Sequence, residues 1–338
     1  MTLRATDTLD QRGRPLHDLR ISVIDRCNYR CPYCMPVERF GGPSVFLKRR
    51  DWLQREDLLK IVQSFLTLGV RKLRLTGGEP LLRPDLPELI AELVALPGVE
   101  DLALTTNGEL LADKADALAR AGLKRITVSL DALDPDIFKT LSGGYGSLER
   151  VLAGIDAAVA AGLAPIKINC TVLRGKNESE VLPLLEQFRT RNITVRFIEY
   201  MDVGTCNRWQ RDDVVDSLVL RDRIHAWQPI EPVQAAYRGE VASRYRFVDG
   251  QGEVGFISSI SQPFCGDCTR ARLSADGQLY TCLFGHQGID LKPWLDSPES
   301  LQERIAALWS RRADRYSEQR AEREREAAGR VEMFRIGG

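Results

Sequence analysis

Along the first two thirds of the chain, short apolar runs alternate with longer amphipathic stretches. The runs at residues 19–24, 72–76, 101–105, 125–129, 166–171 and 194–200 have the length and composition of strands. The stretches at 55–68, 85–96, 110–121, 147–161 and 177–189 place apolar residues at helical spacing, as in Leu58, Ile61, Val62 and Phe65. Gly69, Gly122 and Gly162 follow three of these stretches, where a left-handed residue ends a helix. Alternating strands and helices predict a parallel sheet with helices outside it. Six such units predict an α/β fold: an incomplete (β/α)6 TIM-like barrel, with a C-terminal antiparallel β/α extension closing the open side.

Successive strand side chains point to opposite faces. By that parity Leu73, Leu75, Ile126, Val128, Ile166, Ile168 and Cys170 pack against helices. The inward face then carries Lys72, Arg74, Thr76, Thr105, Thr127, Ser129, Lys167, Asn169 and Arg196. Such a face is too polar for a packed core, and its cations predict an anionic small ligand. In parallel barrels, sites form at the carboxyl ends of the strands.

The rhythm changes after residue 202. Residues 244–248, 252–257 and 270–282 read as short antiparallel strands, with Asp276-Gly277 as a hairpin turn. Residues 298–330, rich in Arg and Glu, read as a solvated helix laced with ion pairs. The expected division is a flexible tail over 1–16, a partial barrel over 17–230, and a C-terminal domain over 231–338.

Composition narrows the function classes. The 338 residues balance 47 Lys and Arg against 47 Asp and Glu, which argues against a general nucleic-acid or membrane-surface binder. No signal region opens the chain, and no run approaches the roughly 18 apolar residues of a membrane span. A cytoplasmic protein with no nucleic-acid or membrane partner is expected. Six of the eight cysteines fall in two tight clusters, which in a cytosolic chain reads as metal or iron–sulfur binding.

The first cluster, Cys27, Cys31 and Cys34, has the spacing C-x3-C-x2-C and follows the first strand. Three thiolates on one loop hold three irons of a cubane and leave the fourth iron open. A structural zinc site would need a fourth protein ligand. Tyr33 adds an aromatic surface beside it. Thr76-Gly77-Gly78-Glu79-Pro80 follows the second strand, its glycines permitting close backbone approach. These two motifs resemble the radical S-adenosylmethionine (SAM) superfamily. The resemblance implies a [4Fe–4S] cluster on Cys27, Cys31 and Cys34 whose open iron binds SAM and yields a 5′-deoxyadenosyl radical. It also implies SAM contacts from Tyr33, Gly78, Ser129 and Met201. Asn107 and Asp131 lie near the same edge, where turn or cap roles serve equally.

The second cluster, Cys265, Cys268 and Cys282, again supplies three thiolates, with His286 as the fourth ligand of an alternative zinc site. Arg270 and Arg272 lie two apart on a predicted strand and so share a face, which suits phosphate or carboxylate. With the stretch Phe197–Met201 and the terminal Gly337-Gly338, these features resemble the GTP 3′,8-cyclase family of molybdenum cofactor biosynthesis, over nearly the whole chain. The resemblance implies a second [4Fe–4S] cluster facing the guanine of GTP. It implies GTP contacts from Arg20, Arg74, Thr105, Lys167, Arg196, Arg270, Ala271 and Arg272, with Lys72 a further candidate, and a catalytic part for Arg270 and Arg272. The radical would take hydrogen from ribose C3′, C3′ would bond to guanine C8, and one electron and one proton would complete the product. The glycine tail would enter the cavity near the arginines. Implied partners are a downstream cyclic pyranopterin monophosphate synthase, a reductant such as flavodoxin, and a second copy in a homodimer. Phe264 stands where relatives often carry a tyrosine, so a hydroxyl contact there is in doubt. Rival readings are another radical SAM maturase with an auxiliary cluster, or a non-enzymatic electron carrier. Cys170 reads as a small core residue, and Cys206 has no assigned role.

Overall fold

In the computed structural model, residues 8–42, 46–320 and 329–337 are described. Six strands form first: β1 (Asp18–Ser22), β2 (Lys72–Thr76), β3 (Asp101–Thr106), β4 (Arg125–Ser129), β5 (Ile166–Val172) and β6 (Thr194–Glu199). They lie side by side in sequence order, each parallel to the next. The strand–helix alternation demands this, because each connection must cross back over the sheet.

Six further helices carry the crossovers beyond a short first one, α1 (Val37–Phe40). They are α2 (Arg55–Thr67), α3 (Leu86–Ala95), α4 (Ala115–Arg120), α5 (Pro135–Leu141) and α6 (Leu148–Ala160), with α7 (Val181–Phe188) before β6. Leu58, Ile61, Val62 and Phe65 of α2 are buried, as their spacing requires. Burying each such side chain stabilises the fold by about 1.5–3 kcal/mol. The Asp134 and Ser147 side chains cap α5 and α6 by accepting backbone N–H groups. Gly69, Gly122 and Gly162 take φ of +111°, +96° and +76°, the left-handed stop expected of them. The stretch expected as a helix over 110–121 is helical only from Ala115, because Gly108 (φ +83°) starts a tight turn that buries Leu111. The stretch at 177–189 opens with a single 3₁₀ turn.

After α8 (Ser217–Trp227), the strands β7 (Ile230–Val233), β8 (Ser243–Phe247) and β9 (Glu253–Ile257) extend the β6 edge. At the other edge, β10 (Arg270–Leu273), β11 (Gln278–Tyr280) and β12 (Ile289–Asp290) extend β1. The expectation of antiparallel strands here holds only in part. β9 runs parallel to β6 and β10 parallel to β1, and only their outer neighbours are antiparallel. One twelve-stranded sheet results, so the segment after residue 230 supplies both edges of the same sheet.

Two expectations are corrected at the chain ends. Residues 8–16, assigned to a flexible tail, are packed: Asp10, Arg14 and Leu16 are all buried. Residues 298–320 and 329–330, the described part of the stretch expected as a solvated helix over 298–330, are not one solvated helix. α9 (Pro298–Ser310) buries Leu301, Ile305 and Trp309, and beyond it Arg312, Arg320 and Arg330 are buried. Asp202 receives Arg320 at 2.9 Å and Arg330 at 3.1 Å. Buried guanidiniums need such partners, and hydropathy alone cannot show that distant acids supply them. Residues 321–328 of that stretch lie outside the described residues. A last turn, α10 (Met333–Ile336), packs against β1. No helix among the described residues is long and apolar enough to cross a membrane.

Candidate active site

Residues of β1 to β6 and of β8, β9 and β10 line one cavity of about 480 Å³. Parity delivers Lys72, Arg74, Thr105, Lys167, Asn169 and Arg196 to it, as the alternation predicted, and Arg20, Arg270 and Arg272 join them. Ala271, between the two arginines, points the other way and is fully buried in the core beside Leu19, so its side chain does not reach the cavity. The lining holds eleven Lys and Arg side chains and four Asp and Glu. Among the described residues, Arg74, Arg196 and Lys72 form no salt bridge with a carboxylate. Arg74 donates to the hydroxyls of Thr105 (3.1 Å) and Thr127 (3.3 Å), and Arg196 to Asn169 Oδ1 (2.9 Å). Lys72 rests on the ring of Tyr237. Burial, then Arg196, Arg125 and Arg74 beside it, pulls the Lys167 ammonium down to about 8. Burial and then Arg272, Arg270 and Arg74 lower Arg20 as well. Gathering like charges in a buried space is costly, and an anionic ligand offsets that cost.

The second cysteine group forms one wall of this cavity: Cys265, Cys268 and Cys282 all line it. Cys265 and Cys268 precede β10, and Cys282 follows β11, which returns antiparallel through Asp276-Gly277 (Gly277 φ +85°). All three cysteines therefore lie near the amino end of β10. Burial pushes the Cys268 thiol up, but Arg270 and Arg312 outweigh it and hold it down at about 6. His286, the alternative fourth ligand, lines a neighbouring hollow of about 200 Å³ rather than the main cavity. Phe264 keeps an aromatic ring under Arg270, 5.3 Å from the guanidinium carbon, with no hydroxyl to donate.

The first cysteine group follows the carboxyl end of β1. β1 and β10 are parallel, with Asp18 opposite Arg270, so the two groups lie at opposite ends of the strand pair. Five residues at about 3.3 Å each put them roughly 15 Å apart. Cys34 and Met35 donate backbone N–H to Cys31 O (3.0 and 2.8 Å), which closes a turn over the loop. The Gly-Gly-Glu-Pro turn packs directly on it. Gly78 N donates to Ile24 O at 2.8 Å, and a Cβ at Gly78 would meet Arg26 O at 2.1 Å. Glu79 is the hub, a role the sequence did not reveal: fully buried, it accepts from Leu81 N (2.9 Å), Thr106 Oγ1 (2.7 Å) and Asn107 N (2.7 Å). Burial against those bonds raises its carboxyl to about 7. Asn107 in turn donates to Asn28 Oδ1 at 2.8 Å, beside Cys27. Tyr33 donates to Asp131 at 2.5 Å, and burial raises that carboxyl to about 6. Ser129 ends β4 opposite Asn169, and Met201 reaches the cavity. Tyr33, Gly78 and Ser129 do not line it.

The donor sets suit clusters. All six thiols are free. Burial pushes the Cys27 thiol up to about 12 and raises Cys31 and Cys34, which their neighbouring thiols raise further. Iron relieves this by displacing the protons. Cys206 lies near, with its thiol turned to Glu332 at 3.0 Å, so it is no fourth ligand. Among the described residues no three Cys, His, Asp or Glu side chains converge as ligands of one metal ion would. A cubane asks less, since each thiolate binds a different iron.

Known proteins resemble this chain over its length. The model of the radical SAM superfamily matches residues 21–188, and that of Molybdenum Cofactor Synthesis C matches residues 193–318. A GTP 3′,8-cyclase of Xanthomonas campestris pv. campestris is 57% identical over 337 residues, covering 99% of each chain. The chain belongs to the GTP 3′,8-cyclase family. Family members from Acidothermus cellulolyticus and Staphylococcus aureus are 53% and 44% identical, covering 92% and 97% of this chain and 88% and 98% of their own. Among solved structures, Streptococcus suis SuiB bound to S-adenosylmethionine superposes with a TM-score of 0.61 at 15% identity, covering 88% of this chain and 69% of that one. At that identity the likeness concerns the fold alone.

The family's sequence resemblance did not lead to Arg125, Tyr237 or Glu240, which also line the cavity. Arg125 pairs with Asp101 from the neighbouring strand, and Tyr237 and Glu240 come from the loop between β7 and β8. Parity would have turned Arg125 inward with Thr127, a usable signal. The loop offered none. The glycine tail reaches Arg272, but Gly337 does not itself line the cavity. Arg272 donates to Gly337 O, and a Cβ at Gly337 would meet Thr76 Cγ2 at 2.2 Å. Gly338 lies outside the described residues.

Proposed function

We propose that this chain converts GTP, with SAM as co-substrate, to (8S)-3′,8-cyclo-7,8-dihydroguanosine 5′-triphosphate in molybdenum cofactor synthesis. The observation that carries the reading is the cavity itself. It is walled by Cys265, Cys268 and Cys282, floored by clustered cations, and bounded by Met201 just past the carboxyl end of β6. Side chains from β1 and β6, the two ends of the six-strand run, meet in it. That supports a partial (β/α)6 barrel.

In this reading Cys27, Cys31 and Cys34 hold one [4Fe–4S] cluster, and Cys265, Cys268 and Cys282 hold a second. Bound there, the clusters would supply the electron for SAM cleavage and, at the second group, a site for the guanine base. Tyr33, Gly78, Ser129 and Met201 hold SAM near the first cluster. Arg20, Arg74, Lys167 and Arg196 neutralise the triphosphate, and Thr105 and Lys72 complete its grip. Across the reaction the ribose loses hydrogen from C3′, a C3′–C8 bond forms, and the guanine takes up one electron and one proton. Arg270 and Arg272 stand beside the second cysteine group, where that proton is needed. Burial, then Arg270 beside it, lowers Arg272 to about 10, which makes it a better acid than an exposed guanidinium. The reading includes a flavodoxin-like reductant, a homodimer, and a downstream synthase that consumes the cyclised nucleotide.

The test is anaerobic turnover of reconstituted, reduced protein. GTP plus SAM gives 5′-deoxyadenosine and a cyclised nucleotide. SAM cleavage with GTP returned unchanged would contradict the substrate assignment.

A further inference from the structure

The segment before β1 and the segment after α9 meet behind the second cysteine group, in contacts the proposed reaction does not use. Arg14, fully buried, donates through Nε to Asp10 Oδ2 (2.6 Å) and through Nη1 to Cys265 O (2.7 Å) and Asp314 O (2.8 Å). Arg312, also buried, donates through Nη1 to Cys268 O (2.7 Å) and Asp10 Oδ2 (3.4 Å), and through Nε to Asp314 Oδ2 (3.2 Å). Its remaining nitrogen, Nη2, lies 3.2 Å from the Cys268 sulfur. The guanidinium lies over the Trp309 ring at 4.5 Å, so its direction is fixed from behind.

We infer that Arg312, aimed by Asp10, Asp314 and Trp309, is a positioning residue that sets the reduction potential of the second iron–sulfur cluster through its hydrogen bond to the Cys268 sulfur. This rests on the reading of Cys265, Cys268 and Cys282 as cluster ligands. A reduced cluster carries one more negative charge than an oxidised one, and its thiolate sulfurs share that charge. A fixed N–H donor with a full positive charge therefore stabilises the reduced form more than the oxidised form, and most strongly where water is excluded. The raised potential lets the second cluster accept an electron from a low-potential one-electron donor and hold it until the nucleotide needs it. Arg14 holds the Cys265 carbonyl but reaches no sulfur among its hydrogen bonds, so its part is to fix the loop.

Potentiometric titration of the full-length, reconstituted protein, followed by EPR, tests this alongside iron analysis. In Arg312→Met the second centre shifts to lower potential by about tenfold in its one-electron reduction equilibrium, about 59 mV, while the first centre stays put. Asp314→Asn removes the negative charge of a partly exposed carboxylate but keeps an amide oxygen to accept from Arg312 Nε, so it shifts the second centre the opposite way. Unchanged potentials in both variants with full iron overturn the proposal. If Arg312→Met loses iron, Asp314→Asn decides: an unshifted second centre overturns it. A wild-type protein with only one four-iron centre overturns the cluster reading itself.

Discussion

Lys167 is buried and has arginines beside it, and burial first, then those charges, lowers its ammonium to about 8 in the free protein. It is protonated below that value and neutral above it, and a bound triphosphate favours the protonated form. GTP affinity therefore falls as pH rises from 7 to 9.5, and calorimetric titration of Lys167→Arg shows a flatter profile. A wild-type affinity constant across that range would remove Lys167 from the triphosphate site. Arg270→Ala and Arg272→Ala each lower turnover by roughly 10- to 100-fold, the size of one lost charge-assisted hydrogen bond, with iron content intact. Iron loss would show that they hold the second cysteine loop instead. The residues behind these predictions were legible because strand parity and cysteine spacing are local properties. Glu79 was not, since its three partners are spread from Leu81 to Asn107 and join only when β2 and β3 pair. Ala271 shows the reverse failure: it sits between two cavity residues in sequence but on the opposite face of β10.

The closing element α10 is short, yet its neighbours fix it tightly. Phe334 packs edge-on to Phe40 at 5.1 Å behind the first cysteine loop. Glu332 accepts from Thr205 Oγ1 (2.9 Å) and Cys206 Sγ (3.0 Å). That contact gives Cys206 the structural setting its sequence position did not. The tail thus runs from one cysteine group to Arg272 beside the other. Gly337 has φ +69° and touches Thr76, so Gly337→Ala is strained twice over. It lowers turnover at least tenfold and moves the melting temperature little, which paired kinetics and calorimetry would show. Full turnover would mean the tail is passive. The six β–α crossovers were readable from periodicity, whereas the parallel pairing of β9 and β10 was not. A hairpin signal such as Asp276-Gly277 specifies the neighbour on one side of a strand and says nothing of the other side.

At the scale of the molecule, the sheet keeps the two cysteine groups at opposite ends of β1 and β10, with the cationic cavity between their levels. A site at the carboxyl ends of the strands was expected from the barrel pattern, and the first group obeys it. The second lies at the amino end because its hairpin adds to β1 in parallel. The ends of the chain complete that second group: Asp10, Arg14 and Arg312 join across some 300 residues, a union no local pattern announces. Deleting residues 1–16 therefore halves the iron content while the SAM-cleaving centre persists, and iron analysis with full retention would contradict this. The most direct test of the whole account is the anaerobic EPR spectrum of the reduced protein with each small molecule in turn. It predicts two [4Fe–4S] centres, one perturbed by SAM and the other by GTP. One centre accompanied by zinc, or two that GTP leaves unchanged, would contradict it.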